Sequence, residues 1–236
     1  MLKIAVFGPS RARLAACWLS LGSALPAAAG TIHVSVVDRG GQPVERVAVY
    51  AVPSRPSPII AANEHDAHSA VHGDHDAVMD QAHNAFVPHV LVVQTGTSVV
   101  FPNNDVVSHH VYSFSPAKTF ELALYKGNAH PPLVFDQPGV VVLGCNIHDG
   151  MLGYILVVDT PHFALTDAKG ELALEGLAAD DYSLRVWTPR VRPGDLPAEQ
   201  KVTVSAEGDV TLELKLTGKL LPDHELVLSS LSWERY

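Results

Sequence analysis

Residues 144–158 read GCNIHDGMLGYILVV. A thiol, an imidazole and a thioether, on Cys145, His148 and Met151, fall inside seven positions of a chain that holds only two cysteines and three methionines. The apolar run that follows Gly153 has strand composition, so the three groups sit on a loop that feeds directly into a strand. A lone methionine or cysteine is ordinarily core filler. Three ligand-type groups at ordered three-residue spacings point instead to a site.

Such a site needs a further donor from elsewhere, and VQTGTSVVFPNNDVVSHHV (93–111) offers one. Two imidazoles and a thiolate in a near-trigonal plane, with a long axial thioether, are the donors that copper takes for electron transfer. The loop at 145–151 supplies three of those four groups, and His109 is a candidate for the fourth. Val93, Gly96, Val99 and Phe101 form a Val-x-x-Gly-x-x-Val-x-Phe pattern, followed by Asn104 and by His109 with Val111. Downstream, Cys145, His148, Met151, Gly153, Ile155 and Val157 form Cys-x2-His-x2-Met-x-Gly-x-Ile-x-Val.

The two patterns together resemble the cupredoxins, the blue-copper family of plastocyanin-like and amicyanin-like domains. More broadly, residues 80–160 resemble periplasmic cupredoxin-domain proteins of the methylamine utilization type. The resemblance implies a Greek-key β-sandwich holding one mononuclear type 1 copper, with His109, Cys145 and His148 as strong ligands and Met151 as the axial one. It also implies single-electron carriage between periplasmic redox proteins such as a dehydrogenase or a cytochrome, with His148 as the electron port. Copper would hold Cys145 as a thiolate and each histidine with a neutral nitrogen, so loading releases protons. Three features depart from the pattern. His110 stands where an Asn usually ties the ligand loops together, which leaves His110 open as the ligand in place of His109. Gly144 precedes the cysteine, and valines occupy positions on that strand where aromatics are common.

Composition bounds the rest. The chain has 236 residues, 47% of them hydrophobic and 17% charged, which describes a foldable globular protein. Lys3, Arg11 and Arg13, the apolar run from Leu14 to Leu25 and the small residues before Gly30 have the layout of an export signal over 1–29, too short and interrupted to span a bilayer. Leu14-Ala15-Ala16-Cys17 resembles a lipobox, although most of the apolar run follows that cysteine instead of preceding it. Loss of 1–29 removes three basic and no acidic residues and takes the formal charge from -9 to -12, which excludes an electrostatic footprint for nucleic acid. Cys145 is then the only thiol, so no intrachain disulfide can form.

The expected fold class is all-β. The segment 30–57 predicts two strands joined by a turn at Gly40-Gly41, and 58–79 is a histidine-rich linker or weak helix. Over 161–218 alternating runs separated by turns at 167–170 and at Asp180-Asp181 predict a small second sheet set, and 219–236 is a tail. The second set resembles the transthyretin or carboxypeptidase-regulatory β-sandwich, as do the N-terminal strands. Those strands either complete that accessory sandwich, making the cupredoxin an insertion, or complete the copper domain. His65, His68, His72 and His75 would line one side of a helix, with Met79 continuing the stripe, either as a metal pick-up site or as a solvated linker. No enzyme is expected: residues 144–146 lack the His-Cys-His of a trinuclear copper centre, and no Ser-His-Asp motif or phosphate loop stands out. The competing functions are a copper chaperone or storage protein, and a binding module with structural copper.

Overall fold

In the strand Leu152–Val158, Ile155 and Val157 point into one apolar core while Leu156 and Val158 point into another, and all four are buried. Side chains alternate across a strand, so a continuous apolar run is what a strand covered on both faces requires. Val90–Gln94 repeats the arrangement, with Leu91 and Val93 on one side and Val90 and Val92 on the other. These two strands lie side by side and parallel, and the architecture is built out from them.

The computed structural model describes residues 29–55, 77–148, 150–205 and 208–222. Among the described residues regular structure is β-strand apart from a 3₁₀ turn at Pro193–Asp195, and no helix is long and apolar enough to cross a membrane. A five-stranded sheet runs in the order Val90–Gln94, Leu152–Val158, Gly139–Gly144, His109–Ser115 and Lys118–Tyr125. Across a core that includes Phe86, Val111, Phe135, Val141 and Ile155 it faces the three strands Leu133–Phe135, Thr97–Val100 and Ala77–Val78. This is the first sandwich.

The second places Gly30–Val37 between Glu171–Leu177 and Val210–Lys215, antiparallel to the former and parallel to the latter. Its opposite sheet runs Phe163–Leu165, Ala48–Pro53, Asp180–Trp187 and Gln200–Val204, over a core that includes Ile32, Val49, Leu177, Leu184 and Val202. Both N-terminal strands therefore pair with strands that follow residue 160, and neither pairs with 86–101. A third apolar cluster, with Ala48, Val90, Val92, Leu156 and Val158 at its centre, joins the outer faces of the two sandwiches.

Several sequence expectations are corrected. The strands flanking Gly40-Gly41 do not pair with each other but belong to opposite sheets. The Asp38 carboxylate accepts the Gly40 and Gln42 amides at 2.7 and 2.9 Å, and the chain then crosses the core through buried Val44 and Val47. Asp180-Asp181 is not a turn but the start of a strand whose carboxylates are taken by Arg55 at 2.8 Å and by Thr203 at 2.6 Å. Lys118–Tyr125 is a strand that the sequence reading did not single out, because its edge position leaves most of its side chains only partly covered. Met79 is fully buried in the first core, its amide donating to the Val100 carbonyl at 2.9 Å, and does not continue an exposed histidine stripe. Within the expected tail, Leu221 donates to the Arg190 carbonyl at 2.7 Å. Residues 1–28 of the export signal, Cys17 among them, and His65, His68, His72 and His75 lie outside the described residues.

Candidate metal centre

Strand alternation selects which side chains meet at the end of the first sandwich. In Gly139–Gly144 and the residue after it, Val141, Leu143 and Cys145 point inward and are buried. In His109–Ser115 the inward set is His109, Val111 and Ser113, all fully buried, whereas Phe114 on the other face is 81% exposed. His109 thus lies against the cysteine, and its Nδ1 stands 3.8 Å from Cys145 Sγ. His110 points the opposite way, its Nε2 2.8 Å from a Glu121 carboxylate oxygen.

The loop after Cys145 brings in the second imidazole. Met151 donates its amide to the His148 carbonyl at 3.1 Å, and Gly150 holds a φ of +89°, a region that favours glycine. One ligand atom each from His109, Cys145 and His148 lie within 4.8 Å of one another, the first two residues buried and His148 half-buried. The rings of His109 and His148 are 4.9 Å apart at 61°. Met151 is buried in the same apolar cluster as Cys145. His110 is not part of the group.

Gly144 also acquires a reason. A Cβ there would stand 2.7 Å from the ring of Tyr112, its strand partner, so the ring occupies the space that a side chain before the cysteine would take. Asn103, adjacent to the Asn104 of the sequence pattern, is the buried amide that shapes the ligand loop. Its Nδ2 donates to the Val107 and Tyr125 carbonyls at 3.0 and 2.8 Å, and its Oδ1 accepts the Asp105 amide at 3.0 Å. Asn104 is exposed and bonds Asp80. Beneath this loop, burial pushes the Tyr125 phenol up to about 12, against a hydrogen bond from Gln81 that lowers it, and its hydroxyl donates to the Phe101 carbonyl at 2.6 Å.

The group that sequence reasoning missed is Asp105, whose Oδ2 lies 3.0 Å from His109 Nε2. Burial pushes its carboxyl up, but hydrogen bonds from the Asn84 amide, the His109 ring and the Val106 amide outweigh that effect and hold it below the ordinary carboxylate range. An acid four residues before a histidine is too common a pattern to be singled out without the fold.

The donor set fits a metal. Two imidazoles and a cysteine converge in a buried position, and among the described residues His148 Nδ1 is buried without a hydrogen-bond partner. Such an atom costs about 1–3 kcal/mol when nothing satisfies it. Two histidines and a cysteine with a methionine alongside match a single mononuclear copper-binding site of type 1.

No protein-family model matches the chain, and no curated protein matches it. Solved structures with partial similarity include cupredoxin-fold proteins. A purple cupredoxin from Nitrosopumilus maritimus is 24% identical, over 35% of this chain and 100% of its own, with a TM-score of 0.32. A mutant of amicyanin in its reduced Cu(I) form is 21% identical, over 46% of this chain and 99% of its own, with a TM-score of 0.33. A copper-containing nitrite reductase from Thermus scotoductus is 24% identical, over 46% of this chain and 28% of its own, with a TM-score of 0.36.

Proposed function

We propose that the chain is an exported, periplasmic electron carrier in which His109, Cys145 and His148 hold one type 1 copper and Met151 is the weak axial ligand. The observation that carries this reading is the convergence of the three ligand atoms within 4.8 Å. When bound, copper would supply a one-electron couple between Cu(I) and Cu(II), and this mixed nitrogen and sulfur set suits both states. His109 and Cys145 are anchored at the ends of sheet strands and shielded from water, so they have little room to rearrange. His148 is the more open of the two imidazoles, flanked by Ile147, exposed at 51%. That openness supports its role as the port through which a periplasmic redox protein, a dehydrogenase or a cytochrome, exchanges electrons.

In this reading 1–29 directs export and 80–160 is a cupredoxin domain inserted between 30–57 and 161–218, which together form a transthyretin-like or carboxypeptidase-regulatory-like sandwich. The strand pairing and the separate core of the outer sandwich support that division. The accessory sandwich would hold and present the copper domain through the apolar cluster that the two share.

Anaerobic titration of the metal-free protein with Cu(II) and with Cu(I), followed by optical and electron-spin spectroscopy, tests the proposal. One equivalent per chain should produce an intense thiolate-to-copper band that a reductant bleaches reversibly. Uptake of several coppers with no reversible bleaching would replace the carrier by a storage or chaperone protein.

A further inference from the structure

We infer that Asp105 is a positioning residue for the metal: its carboxylate locks the His109 ring with Nδ1 bare and turned toward Cys145, and its charge favours oxidised over reduced copper. The inference rests on the copper reading above and assigns it a specific determinant of affinity and potential.

The geometry begins with a fully buried ring that has two different neighbours. His109 Nδ1 is 3.8 Å from Cys145 Sγ, and Nε2 is 3.0 Å from Asp105 Oδ2. An ionised carboxylate can only accept, so the ring proton of a neutral His109 belongs on Nε2 and the lone pair of Nδ1 is left facing the sulfur. That is the tautomer a metal between the two residues needs, selected by the protein alone.

Asp105 is itself unable to swing away. Its Oδ2 also accepts the Asn84 amide at 2.7 Å, its Oδ1 accepts the Val106 amide at 2.7 Å, and its own amide donates to Asn103 Oδ1 at 3.0 Å. Its side chain is 7% exposed. The Asn84 donor comes from a separate turn, between the short strands Asp80–Ala82 and Ala85–Val87, so two segments of the chain hold the carboxylate against the ring. A ligand imidazole hydrogen-bonded to a carboxylate is more basic and better oriented, and losing such a partner typically costs about 10–100-fold in metal affinity. The negative charge should act more strongly on Cu(II) than on Cu(I), and so lower the reduction potential.

A built-in control sits next door. His110 Nε2 lies 2.8 Å from Glu121 Oε1, the same pair of groups at a similar distance. Yet Glu121 is 72% exposed and His110 faces away from Cys145.

The test compares wild type, Asp105→Asn and Glu121→Gln in the full chain. In metal-free wild-type protein, imidazole nitrogen chemical shifts should report the Nε2–H tautomer for His109. With copper, Asp105→Asn should keep the thiolate-to-copper band while the Cu(II)-to-Cu(I) affinity ratio falls about tenfold, a rise in potential of about 59 mV for a one-electron couple. Glu121→Gln should leave the potential unchanged. The inference is overturned by an Nδ1–H tautomer in the wild type, by an unchanged potential in Asp105→Asn, or by an equal shift in Glu121→Gln. If Asp105→Asn does not fold, the wild-type tautomer still decides. A wild type that binds no copper defeats the carrier reading instead, leaving the tautomer measurement intact.

Discussion

The two sandwiches are made of similar aliphatic material but treat buried polar groups differently. In the outer sandwich and its edge these are threonines bonded to backbone: Thr160 donates to Ala51 at 2.7 Å, and Thr166 donates to Val44 at 2.7 Å while accepting the Val47 amide at 2.9 Å. In the copper-bearing half, Gln81 Oε1, Asn84 Oδ1, His110 Nδ1 and His148 Nδ1 are buried without partners among the described residues, and His109 faces a thiol. A core built only for stability satisfies its polar atoms or omits them. Such atoms mark places where a requirement other than folding can act, and one of them, His148 Nδ1, belongs to a metal-type donor set.

If that contrast is right, the largest effect should come from the one thiol of the donor set. Cys145→Ser replaces a group that binds metal as a thiolate by a hydroxyl that stays protonated. It should abolish the visible band and the stabilisation by copper, which for wild type is about 4 kcal/mol at a thousandfold excess over the dissociation constant. Thermal unfolding with and without copper, read beside the absorption spectrum, checks both. Full colour in the serine variant would break the comparison at its centre.

The seam between the halves comes next. Leu156 is buried in the cluster that joins the sandwiches and points away from the donor set. Leu156→Ala should cost about 3 kcal/mol of stability through the lost burial and the cavity left behind, and should leave the copper spectrum unchanged. Urea unfolding monitored by far-ultraviolet circular dichroism and by the copper band gives the two readouts. A shifted spectrum would mean that the seam, and with it the outer sandwich, tunes the site.

The smallest effect belongs to an outer-sandwich histidine with no metal partner. Burial holds the His162 imidazole below its ordinary range, with a hydrogen bond involving the Glu175 backbone opposing that shift. The folded state therefore prefers the neutral ring, and the associated stability is complete above the unfolded value of about 6.5 and declines as pH falls below it. Metal-free wild type should lose more stability than His162→Gln between about pH 7.5 and about pH 5.5, as measured by urea midpoints. Equal losses would remove His162 from the account.

The chemistry of the ligand loop could be read from the chain because its groups are near neighbours: Cys145, His148 and Met151 follow one another at three-residue steps, and spacing alone puts them on one loop. The all-β class was equally legible in short alternating runs and the turns between them. The continuous apolar stretches at 90–93 and 154–158 also marked strands, but their meaning needed the outer sandwich, since only a second core explains why both faces are covered.

The sequence by itself thus determined which kinds of donor are present and that strands would carry them. Tertiary structure decided that His109 and not His110 joins Cys145, 36 positions away, because strand phase against the partner sheet turns one residue inward and its neighbour out. It also decided that Asp105 and Asn84, 21 residues apart, meet behind that ring. Spacing along a chain specifies local geometry, whereas contacts across a sandwich depend on register and loop path, which many strands settle together.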